Sequence, residues 1–543
     1  MTHKYKMRIL KSGQTQEKIF QLSLIGFFIG LSIIIRLYFF FLNRSLWLDE
    51  VYLSTSIVKM SLGDLLSKEL FYFQKAPLGY LLAQKGIIAV FGASEMTLRL
   101  FSLLCSIASL FVFASVSKYF LKSKLVWLAV AIFAFAPPLV FHAVEAKPYM
   151  CDLLATLISF SLYIKYNQSN TVKQLVLWGL CGALLIWFSY PVIFVLTGMA
   201  VTICVENILK KKWNIFFVQL IPFSIWLLSF CINFLLVTQR HAESDWTVFW
   251  FDYYKYFAPI VPTNADDVNW YIMSLYWMLD YPLGFSLVFF RESMGFAPLV
   301  KLSVIGAIML LIGFLAYIKN HRDFYILVII SMATLLASGL KMYPLKERFL
   351  VFFAPVFIWF IVSGCIYLAG FLKKKWQKSI LCLLVLLVPA INIVYLILVP
   401  NDFLKQKKSY EKQALSFIQS NFKDGDVLYV YRNNVVAFEL YRILHNYPIP
   451  TIIGKDHRGS SNNFNDYFRL VMTDLELLSE KKRVWLLYDD VFQSGIGEGI
   501  DWPAWYFKNG KPTDTVVSYF RSIATPIRSF KSSDAIAICF ELR

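Results

Sequence analysis

Residues 19–50 read IFQLSLIGFFIGLSIIIRLYFFFLNRSLWLDE, an apolar run that ends in a pair of acidic residues. The apolar part covers residues 19–42 and contains a single charge, Arg36. About 20 apolar residues are enough for a helix to cross a bilayer. Because the run follows Lys18 and has no short apolar core with a small-residue cleavage site, we interpret it as a retained first membrane helix.

The composition of the whole chain extends this interpretation. Of its 543 residues, 58% are hydrophobic and only 16% are charged, whereas roughly a quarter of the residues in soluble domains are charged. The net charge is +18, but the basic residues form short clusters between apolar runs, so nucleic acid is not predicted as a partner. The 8 cysteines show no disulfide or metal-binding spacing. We predict an α-helical polytopic membrane protein whose partners include membrane lipids.

About eleven membrane spans can be placed by length and hydropathy. They lie near residues 19–42, 97–117, 125–141, 150–164, 174–190, 192–209, 214–237, 298–318, 324–340, 349–371 and 379–399. The segment 77–92 is left out, because it is only about 16 residues long and carries Gln84 and Lys85. It is predicted to be a helix lying at the membrane surface.

An odd number of spans puts the two termini on opposite sides, and the distribution of basic residues decides the orientation. With a cytoplasmic N-terminal tail (1–18), every inner connection is basic. These connections carry Lys118, Lys122 and Lys124; Lys165 and Lys173; Lys210, Lys211 and Lys212; Lys319 and Arg322; and Lys373, Lys374 and Lys375. The membrane domain (19–400) therefore has outer loops at 43–95, 142–149, 239–297 and 341–348, and residues 401–543 are predicted to lie outside.

The predicted external segment changes in character. The stretch KDGDVLYVYRNNVVAFELYRILHNYPIP (423–450) is typical of a turn, a strand and a helix, and RVWLLYDD (483–490) and AIAICFEL (535–542) are typical of further strands. No internal repeat is visible. We predict a small extracytoplasmic α/β domain at 401–543.

The first outer loop offers candidate functional residues. Asp49 and Glu50 directly follow the first span, where carboxylates could accept a proton or bind a cation, although a solvated acidic pair is the plainer alternative. Lys75 precedes Ala76 and a proline at the start of the surface helix. Its ammonium group could contact a phosphate, or its side chain could simply reach to the headgroup level.

The second and last outer loops add to this set. Glu145, Lys147 and Tyr149 are expected in a short exposed turn, and Asp152 lies just inside the next span. A carboxylate inside a membrane helix is a functional hypothesis by default, with local capping or pairing as the alternative. The last loop has three cations on the outer side, where an anionic partner such as a phosphate, or else lipid headgroups, would be needed. They are Lys341, Lys346 and Arg348.

Metal binding can also be considered in the third outer loop. His241, Glu243 and Asp245 could ligate an ion, but a solvated polar stretch at the start of a long loop is the more ordinary interpretation.

Five segments follow one another along the chain: WLDE (47–50), QKAPLGYLL (74–82), EMTLRLFSLL (95–104), FHAVEAKPYMCDLLATL (141–157) and YPLKERFLVFFAP (343–355). In this order they resemble the polytopic glycosyltransferases of the GT-C superfamily. Within the superfamily, the chain is most similar to the protein O-mannosyltransferase and lipid A aminoarabinose transferase group. The likeness covers about the first 400 residues.

The resemblance implies transfer of a sugar from a polyprenyl phosphate or similar lipid carrier to a glycan, lipid or protein acceptor on the outer face of the cell membrane. By position, Asp49 corresponds to the presumed general base, Lys75 to a lysine that holds the carrier phosphate, and Arg348 to the late basic residue. Glu145 falls where related oligosaccharyltransferases have an acid.

Two departures from the family pattern concern metal binding. Lys147 stands where the second acid would be, and Gln74 replaces the acid found beside the lysine in aminoarabinose transferases. No cofactor or metal ligand is assigned, and a divalent cation is left open. The candidate catalytic residues are Asp49, Glu50, Glu145 and Asp152. The candidate substrate-binding residues are Lys75, Lys147, Tyr149, Tyr343, Lys346 and Arg348.

The alternative function is a transporter or flippase of a lipid-linked or envelope precursor. Such proteins place ionisable residues near the membrane midplane and often contain inverted repeats. Arg36 and Asp152 are the main charges within the predicted spans, and no repeat is visible. The glycosyltransferase is therefore the favoured interpretation.

Overall fold

The computed structural model describes residues 3–122, 124–238, 245–287, 304–318, 321–400, 409–476, 478, 481–489, 503, 505–506 and 511–542. In the first half of the chain the helices are α1 His3–Phe41, α2 Leu48–Lys59, α3 Leu62–Ser67, α4 Leu78–Phe91, α5 Glu95–Phe120, α6 Val126–Phe135, α7 Pro137–Ala143, α8 Tyr149–Tyr166, α9 Val172–Phe188, α10 Val192–Leu209 and α11 Trp213–Asn233. Further helices in the membrane domain are α12 Asp245–Tyr253, α13 Ala265–Asp280, α14 Val304–Tyr317, α15 His321–Gly339, α16 Ala354–Ala369 and α17 Lys375–Leu398.

The chain is a multi-pass membrane protein. Within the described residues, 7 helices are long and apolar enough to cross a membrane, or up to 8 if a bent pair is counted as one span. Shorter apolar helices are α4, α9 and α14. Every predicted span overlaps a helix. The 14-residue α4 occupies the segment predicted to lie at the membrane surface, and that placement stays a prediction.

The prediction of one continuous helix at 125–141 is wrong. The segment is broken at Ala136 into α6 and α7, whose axes are bent by 63°. Pro137 and Pro138 explain the break, because proline has no N–H to donate and disfavours helical geometry at the residue before it. The short α7 consequently turns away and leads into the buried segment 144–148.

Close helix contacts hold the segment that precedes α16. A Cβ atom built on Gly313 of α14 would lie 1.7 Å from the carbonyl oxygen of Phe360, and one built on Gly364 of α16 would lie 2.1 Å from that of Met309. Small residues permit such close approach between membrane helices. A 3₁₀ helix, Glu347–Phe353, runs directly into α16, so this packing also fixes Arg348.

The C-terminal domain is an α/β unit, and its predicted strands and helix are confirmed. Its helices are α18 Glu411–Asn421, α19 Val435–His445, α20 Phe464–Glu476 and α21 Pro512–Ile523. Its strands are β1 Val427–Val430, β2 Thr451–Ile453, β3 Arg483–Asp489, β4 Ala524–Lys531 and β5 Ala535–Leu542. The sheet order is β2-β1-β3-β5-β4. β1 is parallel to β2 and β3, and β5 is antiparallel to β3 and β4.

Alternation along β1 directs side chains to two cores. Leu428 and Val430 pack under α18 and α19, whereas Val427 and Tyr429 pack under α20 and α21. This is the period of two expected for a strand buried on both faces.

The C-terminal domain contacts the start of the membrane domain directly. The Leu46 amide donates to the Tyr441 hydroxyl at 2.7 Å. Glu95, the first residue of α5, accepts from Lys412 at 3.2 Å and from the His445 ring at 2.8 Å. Lys59 at the end of α2 pairs with Glu439. Elements from both ends of the sequence therefore surround α2.

Candidate active site

Helix α2 positions the two acids that follow the first span. Trp47 precedes the helix in an extended conformation, and its amide donates to a carboxylate oxygen of Glu50 at 3.2 Å. Successive residues of a helix point about 100° apart. Asp49 and Glu50 therefore face different surroundings.

Glu50 is fully buried among cationic and amide donors. Arg99 donates to both of its oxygens at 2.8 Å, Arg44 lies at 3.3 Å, and the Ala146 amide donates at 2.8 Å. Burial by itself raises the pKa of Glu50, but the charges of Arg44 and Arg99 outweigh it and hold the pKa below its ordinary value. These contacts support a positioning role for Glu50, since it ties α2 to α5 and to the segment 144–148.

Asp49 meets the late basic loop. Its Oδ2 accepts a hydrogen bond from Arg348 Nη1 at 2.6 Å, across 299 residues of sequence. The Arg348 guanidinium also lies 5.7 Å from the Trp47 ring and 5.5 Å from the Phe349 ring. Its Nε is buried and makes no hydrogen bond to the described residues. Arg348 can therefore orient Asp49 and still offer a donor to a bound anion.

The loop 142–149 is not the exposed turn expected from the sequence. Glu145 is 0% exposed, Lys147 5% and Tyr149 8%, because α2 and the loop 43–95 cover this segment. Glu145 accepts from Trp47 Nε1 at 2.9 Å and contacts His142 Nδ1 at 2.5 Å. The burial makes Glu145 part of the scaffold behind α2.

His142 and Tyr281 are site residues that the sequence reasoning missed. His142 is fully buried, and its second ring nitrogen is hydrogen-bonded to the Tyr281 hydroxyl. A chain of contacts thus runs from Tyr281 through His142 and Glu145 to Trp47. The sequence feature that could have pointed to His142 is its position directly after the apolar run PPLVF and three residues before Glu145.

Lys147 lies near the Asp49–Arg348 pair, and Lys75 adjoins Gln74, a residue that Lys147 contacts. Lys147 Nζ donates to Gln74 Oε1 at 2.6 Å. Burial lowers the pKa of Lys147, and the Asp49 carboxylate opposes that shift. Lys75, next to Gln74, is half-buried and forms no hydrogen bond or ion pair within the described residues. Burial lowers its pKa too, against the Glu69 carboxylate.

The remaining predicted site residues lie around this cluster or away from it. Tyr149 packs edge-on against His142, with ring centroids 4.9 Å apart. The Tyr343 hydroxyl donates to the Phe349 carbonyl at 2.9 Å, which supports the 3₁₀ helix of Arg348. Lys346 points instead to aromatic rings of the third loop, 5.1 Å from Tyr256.

Asp152 is buried one turn into α8, with one carboxylate oxygen, Oδ1, lacking a hydrogen-bond partner among the described residues. It is not brought into contact with Asp49. His241 and Glu243, and the side chain of Asp245, lie outside the described residues, so their metal-binding hypothesis is not addressed. Within the described residues, no group of three or more His, Cys, Asp or Glu side chains is placed to hold a metal ion.

Together, the geometry provides one partly accessible carboxylate, Asp49, beside two cationic side chains from separate loops, Arg348 and Lys147. Such a site can take up a proton at the carboxylate and stabilise developing negative charge through the cations.

The helical membrane domain, the loops that converge at Asp49 and the small α/β domain define a polytopic membrane protein of the GT-C fold. This chain shares its fold with ArnT from Cupriavidus metallidurans. The structure of ArnT in the apo state aligns with a TM-score of 0.53, covering 95% of this chain and 98% of that chain at 12% identity. The structure of ArnT bound to undecaprenyl phosphate aligns with a TM-score of 0.51, covering 95% and 97% at 12% identity.

The sequence matches no protein-family model and no curated protein sequence. At 12% identity the structural likeness establishes the fold, and it confirms the fold class predicted from the sequence. It does so over nearly the full length of both chains, the C-terminal domain included.

Proposed function

We propose that this protein is a membrane glycosyltransferase that moves a sugar from a polyprenyl-phosphate carrier to an acceptor on the outer face of the membrane. The observation that carries the proposal is the contact of Asp49 with Arg348 at 2.6 Å, beside Lys147 and within a GT-C fold. A carboxylate and cations are the groups that this transfer needs.

The nature of the donor is supported by the structural neighbour. ArnT was solved with undecaprenyl phosphate bound, and a carrier of that class would place its polyprenyl tail in lipid and its phosphate among polar groups. In this chain, Lys75 and Arg348 each retain donors that the described residues do not use. We assign the carrier phosphate to these two side chains, with Lys147 adding charge nearby.

The proposed reaction is a displacement at the anomeric carbon. Asp49 takes the proton of an acceptor hydroxyl while the hydroxyl oxygen forms a bond to the anomeric carbon. The bond from that carbon to the phosphate oxygen breaks, and the phosphate leaves with the electron pair. Because a phosphate is a good leaving group, cationic stabilisation by Arg348 is more useful than an acid.

The buried residues around Asp49 have positioning roles in this proposal. Glu50 fixes the first turn of α2 through Arg99 and Arg44. Glu145 fixes Trp47, the residue before the helix, and His142 in turn contacts Glu145. Asp49 is thereby presented from a rigid helix start, which is how an active site restricts a reactive group to one geometry.

The test is sugar transfer by the purified full-length protein, with the envelope glycans of cells with and without the protein used to identify donor and product by mass spectrometry. Asp49→Asn keeps size and hydrogen bonding but cannot take the proton, so transfer should fall about 10²- to 10⁴-fold. Asp266→Asn, at an exposed acid in the third loop, is the matched control. Normal turnover by the Asp49 variant would remove it as the base.

The same experiment separates an enzyme from a flippase. A glycosyltransferase makes a new glycosidic bond and releases the carrier phosphate, whereas a flippase leaves the lipid-linked sugar intact. Intact donor that is merely moved across a reconstituted bilayer would overturn the proposal.

A further inference from the structure

A concave site lies between the C-terminal domain and α2, apart from the cations around Asp49. A cavity of ≈ 380 Å³ opens where the parallel strands β1, β2 and β3 end. Arg432 follows β1, Asp456 follows β2, and Asp489 is the last residue of β3. In open α/β sheets, ligands bind in the crevice outside the carboxyl ends of the strands.

The opposite wall of this cleft belongs to the membrane domain. Leu48 and Tyr52 of α2 line it, together with Tyr72. The rings of Tyr52 and Tyr72 are stacked, with centroids 4.7 Å apart and planes inclined by 27°. Tyr52 lies three residues after Asp49, and Cβ atoms at that spacing on a helix are about 5–6 Å apart. The cleft therefore begins one helical turn from the proposed base.

The charges of the cleft lining are balanced. Arg458 forms two close hydrogen bonds to Asp456, at 2.9 and 2.6 Å, and Arg432 lies 3.7 Å from the same carboxylate. Asp489 supplies a second acid. A phosphate-binding cleft would have an excess of positive charge, as the cluster around Arg348 does, so this lining is suited to an uncharged polar ligand.

The remaining groups favour a polyhydroxylated ligand. Thr513 is 4% exposed and lines the cavity, and its buried hydroxyl has no hydrogen-bond partner among the described residues. Arg432 Nε donates to the Tyr506 hydroxyl at 2.9 Å, which ties that guanidinium to a neighbouring residue of the lining. Planar guanidinium and carboxylate groups match neighbouring sugar hydroxyls, and tyrosine rings cover the apolar face of a sugar.

We propose that this cleft binds a saccharide unit of the acceptor and presents its hydroxyl to Asp49. The inference rests on the proposed glycosyl transfer and names the acceptor class for that site. The cavity volume is at the lower end of the roughly 300–1,000 Å³ of small-molecule pockets, which suits one or two sugar units. The acceptor is thus held by both domains at once, while the donor phosphate stays with Lys75 and Arg348.

Saccharide binding is tested without catalysis. Detergent-purified full-length protein is examined by saturation-transfer NMR with mannose, galactose, glucose, N-acetylglucosamine and rhamnose, each at millimolar concentration. At least one sugar should receive saturation from the wild type. The signal should be lost in Arg458→Met and in Tyr72→Ala, which alter opposite walls of the cleft. It should persist in Arg442→Met and Tyr253→Ala, matched changes at exposed residues outside the cleft lining.

Kinetics then connect the cleft to transfer. Arg458→Met should raise the KM for the acceptor about tenfold, as expected from the loss of one charged hydrogen-bonding group, and leave the KM for the donor unchanged. Thermal unfolding of each variant identifies any that fail to fold. Tyr72→Ala alters the opposite wall of the cleft and therefore tests the same site independently of Arg458.

The outcomes distinguish this inference from the proposed function. No saturation of any sugar by the wild type, or equal signals in cleft and control variants, would overturn the cleft as a saccharide site even if transfer occurs. Transfer with a normal acceptor KM in both cleft variants would overturn it as well. Sugar binding at the cleft in a protein that forms no glycosidic bond would instead overturn the proposed function.

Discussion

Arg348 has two roles in the proposed site: it orients Asp49 and it binds the carrier phosphate. One guanidinium nitrogen holds Asp49 at 2.6 Å, and Nε is buried without a hydrogen bond to the described residues. A planar guanidinium can serve two partners in fixed directions, whereas an ammonium is a point charge on a flexible stem.

Arg348→Lys should therefore impair transfer although the charge is kept. We expect kcat to fall by about tenfold or more, since one charge-assisted hydrogen bond is worth about 1.5–3 kcal/mol. Steady-state kinetics of the purified variant check this. Lys341→Arg is the control, at an exposed cation of the same loop that pairs with Asp252. Equal rates for both variants would show that transfer does not depend on the planar guanidinium of Arg348.

Lys75 and Arg348 should act on one phosphate together. Binding of undecaprenyl phosphate to wild type, Lys75→Ala, Arg348→Ala and the double variant forms a thermodynamic cycle. Each single change should weaken binding, and the double change should weaken it by less than the sum, because a phosphate that has lost one cation is already displaced. Affinities unchanged in the single variants would place the phosphate elsewhere.

Single residues show how far sequence reasoning reaches at this scale. Asp49 and Arg348 could be selected because acids and cations beside span ends are unusual, but their contact could not, since 299 residues separate them and only helix packing brings them together. Glu145 was expected to be exposed because its loop is short and polar. Its burial depends on α2, whose position is a tertiary property. His142 was placed at the start of the loop 142–149 and was given no role.

At the scale of helices, the contact between α14 and α16 is the one that most directly supports the site. The two backbones approach so closely at Gly313 and Gly364 that a side chain on either would meet a carbonyl group of the other helix. Backbone atoms cannot rotate away as a flexible side chain can. The 3₁₀ helix of Arg348 continues into α16, so a shift of α16 would also move Arg348.

Gly364→Ala should lower the apparent melting temperature of the detergent-purified protein, with a loss of about 1–3 kcal/mol typical of overpacking. Differential scanning fluorimetry measures the shift. Gly86→Ala is the matched control, because nothing lies within 4 Å of the added methyl group and alanine favours a helix. Equal melting of the two variants would contradict the close helix contact.

Helices α18 and α19 of the C-terminal domain meet at a buried acid. Glu411 accepts from Asn434 Nδ2 at 2.8 Å through one oxygen, and its other oxygen has no partner among the described residues. Burial, with smaller contributions from Asp534 and Asp489 and against the Asn434 hydrogen bond, raises the pKa of Glu411 from 4.5 to about 8. The folded protein therefore keeps this carboxyl protonated at neutral pH.

This carboxyl should make stability depend on pH. Between pH 4.5 and pH 8, the unfolded chain loses the Glu411 proton while the folded chain keeps it, so stability falls as pH rises through this range. Glu411→Gln cannot ionise and should gain about 4 kcal/mol of stability over the wild type between pH 4.5 and pH 8, with little difference at pH 4.5. Thermal unfolding at both pH values is the measurement, and Asp424→Asn, in an exposed turn of the same domain, is the control. A constant difference across pH would contradict the buried neutral acid.

At the scale of the whole molecule, orientation is the property that the proposed chemistry depends on. Asp49, Arg348 and the C-terminal domain lie together in the fold, so they must share one side of the membrane. The basic inner connections predict that this side is external.

Reporter fusions test the orientation. A periplasm-active reporter joined after Pro400 should be active, and the same reporter joined after Lys211, in a basic connection, should be inactive. A cytoplasm-active reporter at the same two positions should give the reverse result. Matching activities at both positions would overturn the topology and, with it, the outer location of the site.

The overall architecture could be predicted because hydropathy and charge act over long stretches of sequence. The predicted spans correspond to helices, and the short apolar runs at 427–430, 483–489 and 535–542 correspond to strands. The break at Ala136 was missed because hydropathy continues through the two prolines. The docking of the C-terminal domain on α2 was not predictable either, since it depends on single polar contacts such as Leu46 with Tyr441.

That last contact has a consequence for how the protein is made. Leu46 and Tyr441 are separated by 395 residues, and a ribosome working at about 5–20 residues per second needs roughly 20–80 s to synthesise that interval. The first helices thus wait in the bilayer while the remainder is translated. The domain that supplies the second wall of the cleft is made after the membrane helices, so a ribosome that stops between the two leaves a membrane-embedded chain that lacks the saccharide cleft.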